Sequence, residues 1–176
     1  MKRHTAIAIL LLIPALMSTA QQVSETKQGL RVDPAGDNPT TEVSVYAPNI
    51  IRVTKYADGL EALPAKKSYS VIMEPEKGKN LWSVEGNTLR TACLTVTVDA
   101  ATGEVRFADA DGNALLAEKG AAEVASIATG VDKGQYRIRQ DFLLGTDEAI
   151  YGLGQRRSPK LNQRGEKVEI WNHNAN

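Results

Sequence analysis

Cysteine is almost absent from this 176-residue sequence. Cys93 is the only one, so no disulfide can close within the chain. Histidine is nearly as scarce: His4 and His173 stand at the two ends, which excludes a histidine-rich metal site within one chain. Neither sign of charge is in excess, because 21 Lys and Arg balance 21 Asp and Glu. A nucleic-acid surface shows a basic excess or a dense basic stripe, and neither is visible. No apolar run reaches the roughly 20 residues of a membrane span, so no transmembrane segment is expected. The sequence also lacks Gly-x-Ser-x-Gly, His-Glu-x-x-His and a complete calcium loop around Asp109 and Asp111. No cofactor and no metal is therefore expected.

What remains is ordinary globular material, with 42% hydrophobic and 24% charged residues. That excludes wholesale disorder and a collagen-like chain, and the length suits about one domain. Residues 1–20 stand apart. Lys2 and Arg3 precede a twelve-residue run without a polar side chain, residues 6–17, and Ser18-Thr19-Ala20 supplies small residues before a cut. This is the pattern of a secretory signal peptide, so the chain is expected to be exported, to a periplasm or outside the cell, with Gln21 as its new start. Losing Lys2 and Arg3 takes the basic count from 21 to 19 against 21 acidic residues, a net charge of −2. Cys93 would then sit in an oxidising compartment without a partner in its own chain. Placed just before an apolar strand, it is expected to be a small buried hydrophobe rather than a reactive thiol.

After residue 20 the sequence reads as strands. Leu30-Arg31-Val32 is a short first candidate. Val43-Ser44-Val45-Tyr46 alternates apolar and polar residues, and 50–56 resumes the alternation after Pro48-Asn49. Such alternation sets one face on a core and the other in water. Leu94-Thr95-Val96-Thr97-Val98 is the clearest strand, rich in β-formers. A turn over 99–103 and a return over 104–107 make a hairpin with it. Asp109 to Asn113 is the next turn, Tyr136 to Arg139 is another alternating run, and Ser70 to Met73 is a weaker strand candidate. Residues 113–127 carry alanines and leucines fit for a turn or two of helix, interrupted by Gly120. Many short strands without a βαβ rhythm predict an all-β, antiparallel β-sandwich or barrel.

The polar constellations are modest. Gly152 and Gly154 lack the third glycine of a dinucleotide loop and read as a tight turn. Arg156, Arg157, Lys160 and Arg164, followed by Glu166 and Glu169, read as a mixed solvated face. No pair of carboxylates is singled out by spacing, although glycoside hydrolysis usually needs two. In Trp171-Asn172-His173-Asn174 a ring suited to the apolar face of a sugar stands beside amides that both donate and accept hydrogen bonds. A lone tryptophan is more often a packing residue, and the same holds for Trp82. On residues alone the reading stops at an exported antiparallel β domain that faces carbohydrate, with a structural or adaptor domain as the alternative.

Three stretches in order carry a resemblance: Ile150-Tyr151-Gly152-Leu153-Gly154-Gln155, then Asn162-Gln163-Arg164-Gly165, then Ile170-Trp171-Asn172-His173-Asn174. Together they resemble the N-terminal β-sandwich of glycoside hydrolase family 31, the family of α-glucosidases and α-xylosidases. The early strand at 45–53 and the hairpin formed by 94–98 and 104–107 resemble it too. The resemblance implies a galactose-mutarotase-like β-sandwich over residues 21–176. It implies that the two catalytic aspartates belong to a (β/α)₈ barrel, which the chain does not reach before Asn176, as in a truncated gene product or the first part of a longer hydrolase. No catalytic residue carries over. The resemblance places Trp171, Asn172 and Asn174 near substrate only when a barrel is supplied. Asn174 stands where an acidic residue often binds sugar hydroxyls, and an amide makes the weaker bond. The implied partner is an α-linked oligosaccharide or glycoside, met through the complete enzyme; the alternative is a free-standing carbohydrate-binding sandwich.

Overall fold

The computed structural model describes residues 21–56, 69–75, 80–154 and 160–170, and no helix occurs among them. Twelve strands do: β1 Gln22–Glu25, β2 Gly29–Asp33, β3 Thr40–Ala47, β4 Ile50–Tyr56, β5 Trp82–Glu85, β6 Thr88–Thr91, β7 Leu94–Val98, β8 Val105–Asp109, β9 Ala114–Glu118, β10 Glu123–Ser126, β11 Tyr136–Arg139 and β12 Phe142–Leu143. Strands β1 to β4 form one sheet in chain order, with every pair antiparallel. Strands β5 to β9 form a second in chain order, with β12 outside β9, and β10 pairs with β11 as a separate ribbon. Pro48 and Asn49 make the β3–β4 turn that breaks the alternation in the sequence.

The two sheets share one core, as the sandwich reading expects. Leu30, Val32, Val43 and Val45 come from the first sheet; Trp82, Leu89, Val96, Val98 and Val105 come from the second. Burying each aliphatic side chain of this size contributes about 1.5–3 kcal/mol. The registers line the inward residues into rows. Leu30 faces Val43 and Val43 faces Val53 in the first sheet. Val84, Leu89, Val96, Phe107 and Leu116 follow one another across five strands of the second. Gly29 is required where β2 passes close to its neighbour β3: a Cβ there would lie 2.1 Å from the Val43 carbonyl oxygen.

Several expectations need correction. Residues 113–127 hold β9 and β10 instead of helix, with Gly120 at φ +79° between them. The alanines and leucines favour helix locally, and cross-strand pairing of β9 with β8 and of β10 with β11 overrode that preference. Ser70 to Met73 forms no strand, and Ile72 is 92% exposed. Tyr136 to Arg139 is a strand, but all four residues are exposed, because the two-stranded ribbon leaves both faces open there. Cys93 is exposed: it sits in the tight β6–β7 turn, where Thr91 Oγ1 accepts the Cys93 and Leu94 amides. Trp82, at 5% exposure, is the core packer expected. The hairpin of β5 and β6 around Gly86 and Asn87 had no strong signal, since its strands are only four residues each.

A second compact unit begins at Leu143. Its described residues form turns and extended chain. The alternation Val168-Glu169-Ile170 predicts an inward strand face, but no strand forms at 166–170 and Ile170 is 66% exposed. Alternation alone does not make a strand without a neighbour to pair with.

Candidate functional site

Parity along β4 puts a charge on the core face. Ile51, Val53 and Lys55 point the same way, and Lys55 stands opposite Thr41 in the register. On β9 the same rule aligns Leu116 with Glu118. Lys55 Nζ donates to Glu118 Oε2 at 2.7 Å, and the two side chains are only 12% and 8% exposed. Lys55 Nζ also donates to the Gly103 carbonyl oxygen at 2.7 Å, Thr41 Oγ1 donates to that same oxygen at 3.0 Å, and the Val105 amide donates to Glu118 Oε2 at 2.7 Å. A buried ion pair survives only with such extra bonds, because desolvation otherwise cancels the Coulomb gain. Gly103 permits the arrangement: its φ is +73°, and a Cβ would lie 2.8 Å from Thr41 Oγ1. Beside the pair lies a cleft of about 480 Å³ whose walls include Ile51, Val53, Phe107, Leu116, Ile138 and Phe142.

The resemblance-bearing motif residues of the second unit act on one another. Asn162 Oδ1 accepts the Ile150 amide at 3.1 Å and the Arg164 amide at 3.0 Å. The Gln163 amide donates to the Ile150 carbonyl at 2.7 Å. Arg164 Nη1 donates to the carbonyls of Gly145 and Glu148, both at 2.6 Å. Lys160 pairs with Glu166. Arg164, exposed as expected of a mixed solvated face, is also a clamp on backbone carbonyls. Between the clamped segments Gly152, Leu153 and Gly154 take φ values of +90°, +64° and +86°. The turn expected from the two glycines is present, and Leu153 adopts a left-handed conformation that costs a non-glycine residue about 1–2 kcal/mol. Tyr151 is 63% exposed beside it.

Trp171, Asn172 and Asn174, the residues expected near substrate, lie outside the described residues. So do Arg156 and Arg157. Where a carboxyl pKa is displaced among the described residues, it moves downward. Asp33 is lowered chiefly by the hydrogen bond from the Arg31 side chain, Asp99 by the Thr102 and Ala101 amides, and Asp109 by the Asn113 side chain. A general acid needs the opposite displacement. Among the described residues no group of three or more His, Cys, Asp or Glu side chains is placed to hold a metal. No described helix is long and apolar enough to cross a membrane.

The sequence reading missed Lys55 and Glu118. The signal for Lys55 was present in its parity with Ile51 and Val53. The signal for Glu118 was hidden by reading 113–127 as helix. Nothing in composition or spacing marks Arg164 as a carbonyl clamp.

Residues 40–176 match the model of the glycosyl hydrolase 31 N-terminal galactose mutarotase-like domain. The fold is similar to that of the GH31 alpha-xylosidase from Xanthomonas citri, with a TM-score of 0.67 and 29% identity over 85% of this chain. The chain spans 16% of the length of that enzyme.

Proposed function

Because this chain belongs to the glycosyl hydrolase 31 N-terminal galactose mutarotase-like domain family, we propose that it is a non-catalytic sandwich module of an exported α-glycosidase. The observation that carries the reading is the family match over residues 40–176, together with the two-sheet core it predicts. The module's work is positional. The Asn162–Arg164 clamp fixes the segment from Gly145 to Ile150, and Trp171, Asn172 and Asn174 follow the clamp in sequence. In this reading those three meet the hydroxyls of an α-linked glycoside bound on a (β/α)₈ barrel, where the ring covers an apolar sugar face and the amides share hydrogen bonds with hydroxyls.

The chemistry belongs to the barrel. Retaining hydrolysis needs two carboxyl groups about 5–5.5 Å apart, one of them with its pKa raised so that it stays protonated. The displaced carboxyls here move the wrong way and are spent in turns. Export follows from residues 1–20, whose charged end, apolar run and small residues fit a cleaved leader. The test is a chimera in which this chain replaces the corresponding sandwich of the Xanthomonas citri enzyme. The expected result is a folded protein that hydrolyses an aryl α-xyloside, losing at least tenfold in kcat/KM when Trp171 is changed to Ala. A folded, active chimera indifferent to Trp171, Asn172 and Asn174 would refute the positioning role.

A further inference from the structure

Among the described residues the two sheets are unequal in width, and inward-facing side chains at the wider sheet's edge are exposed. Four strands make the first sheet, which ends at β4; six make the second, which continues through β9 to β12. The inward row of the second sheet records where cover stops. Leu89 and Val96 are fully buried, whereas Leu116, two strands beyond Val96 in the same row, is 44% exposed. Phe142 is 51% exposed and Ile138, from the ribbon, is 72% exposed. These side chains and Ile51 and Val53 of β4 wall the cleft of about 480 Å³, a volume within the range of about 300–1,000 Å³ typical of small-molecule sites.

The polar end of the cleft is specific. Glu118 Oε2 is occupied by Lys55 Nζ and the Val105 amide, which leaves Oε1 as an acceptor. Lys55 Nζ gives two of its three hydrogens, to Glu118 and to the Gly103 carbonyl, and keeps one. A free acceptor and a free donor therefore stand side by side on a pair whose net charge is zero. A hydroxyl answers both, because it donates and accepts at one oxygen. A charged head does not, since it would leave an extra uncompensated charge against a low-dielectric wall.

We propose that this cleft is a binding site for a small neutral amphiphile with a hydroxylated head, of the kind an alkyl glycoside represents. The head lies on Lys55 and Glu118, and the apolar body lies on Leu116, Ile138 and Phe142. The site is formed by β4, β8, β9, the ribbon and Phe142.

The experiment is an amide NMR titration of the isotope-labelled full chain with octyl α-D-glucopyranoside below its micelle concentration. Glucose, octanoate and octylammonium are the comparison probes. The expected result is saturable one-to-one binding, with shifts concentrated at Ile51, Val53, Leu116 and Ile138. Glucose and both charged probes should bind at least tenfold more weakly. Ile138→Asp should also weaken binding at least tenfold, and this exposed position leaves folding intact. Absence of saturable shifts, equal binding of octanoate, or an unaffected Ile138→Asp variant would overturn the proposal. So would a concentration-dependent dimer that shifts the same amides without ligand, which would give the cleft to a second copy of the chain. Every arm reads the chain without a barrel, so failure here is separate from failure of the chimera.

Discussion

Lys55 on β4 and Glu118 on β9 meet between the two sheets, Nζ to Oε2 at 2.7 Å, with both side chains nearly out of water. Strand parity turns each of them inward, and each then depends on the other. Glu118→Gln leaves the Lys55 charge buried without its counter-charge, and breaking such a pair costs about 3–5 kcal/mol. Urea unfolding of Glu118→Gln should show a loss of that order. The double variant Lys55→Met with Glu118→Leu should recover most of it, because no charge is then buried. Equal loss in the single and double variants would contradict this account of the pair.

Gly103 supports the same cluster from the backbone. Its φ of +73° and the 2.8 Å that would separate a Cβ from Thr41 Oγ1 leave no room for a side chain. Gly103→Ala should destabilise by about 1–3 kcal/mol, read as a lower thermal midpoint. Gly112→Ala is the control: it shares a positive φ but meets nothing within 4 Å, so its cost should be smaller.

Acid should unfold the domain through three turn and strand carboxylates. Asp33, Asp99 and Asp109 are held below the ordinary carboxylate range in the fold by Arg31, by the Thr102 and Ala101 amides, and by Asn113 respectively. Unfolded, each titrates near about 3.9. Their contribution is therefore complete above that pH and is lost as pH falls through the lower folded values. Stability measured from pH 6 downward should begin to fall near about pH 4, and Asp33→Asn with Asp99→Asn should flatten the fall. An unchanged slope in that double variant would show that other groups carry the acid sensitivity.

Cys93 should react with a maleimide in the folded chain without denaturant, because the β6–β7 turn exposes it. Protection until unfolding would restore the buried reading that the sequence suggested.

Arg164→Lys should loosen the second unit locally. Both the Gly145 and the Glu148 carbonyl accept from the single nitrogen Nη1, which stands one bond further from the backbone than a lysine Nζ at the same position. Amide exchange at Gln163, which donates to Ile150, should speed up at least tenfold while β7 amides stay protected. Uniform acceleration would mean instead that Arg164 supports the whole fold.

The strands were legible wherever alternation coincided with β-branched residues, as at Val43 to Val45 and Leu94 to Val98. Both deliver core side chains. Legibility failed where local propensity and long-range pairing disagreed. Residues 114–118 have helix-forming side chains, yet Phe107 pairs with Leu116 and holds them in the sheet. It failed again at Val168 and Ile170, where the residues alternate but pair with no strand among the described residues. The candidate site was half visible. The order of motifs identified the family, whereas the Lys55–Glu118 pair joins residues 63 positions apart, a separation that no local pattern reports.

The role proposed for this family-31 sandwich is to position a glycoside without hydrolysing it. The most direct measurement is turnover of aryl α-glucoside and aryl α-xyloside by the purified full chain, followed through successive purification steps. The account predicts no turnover above background. Turnover that tracks the protein and vanishes when one of its own carboxylates is changed to the amide would contradict it.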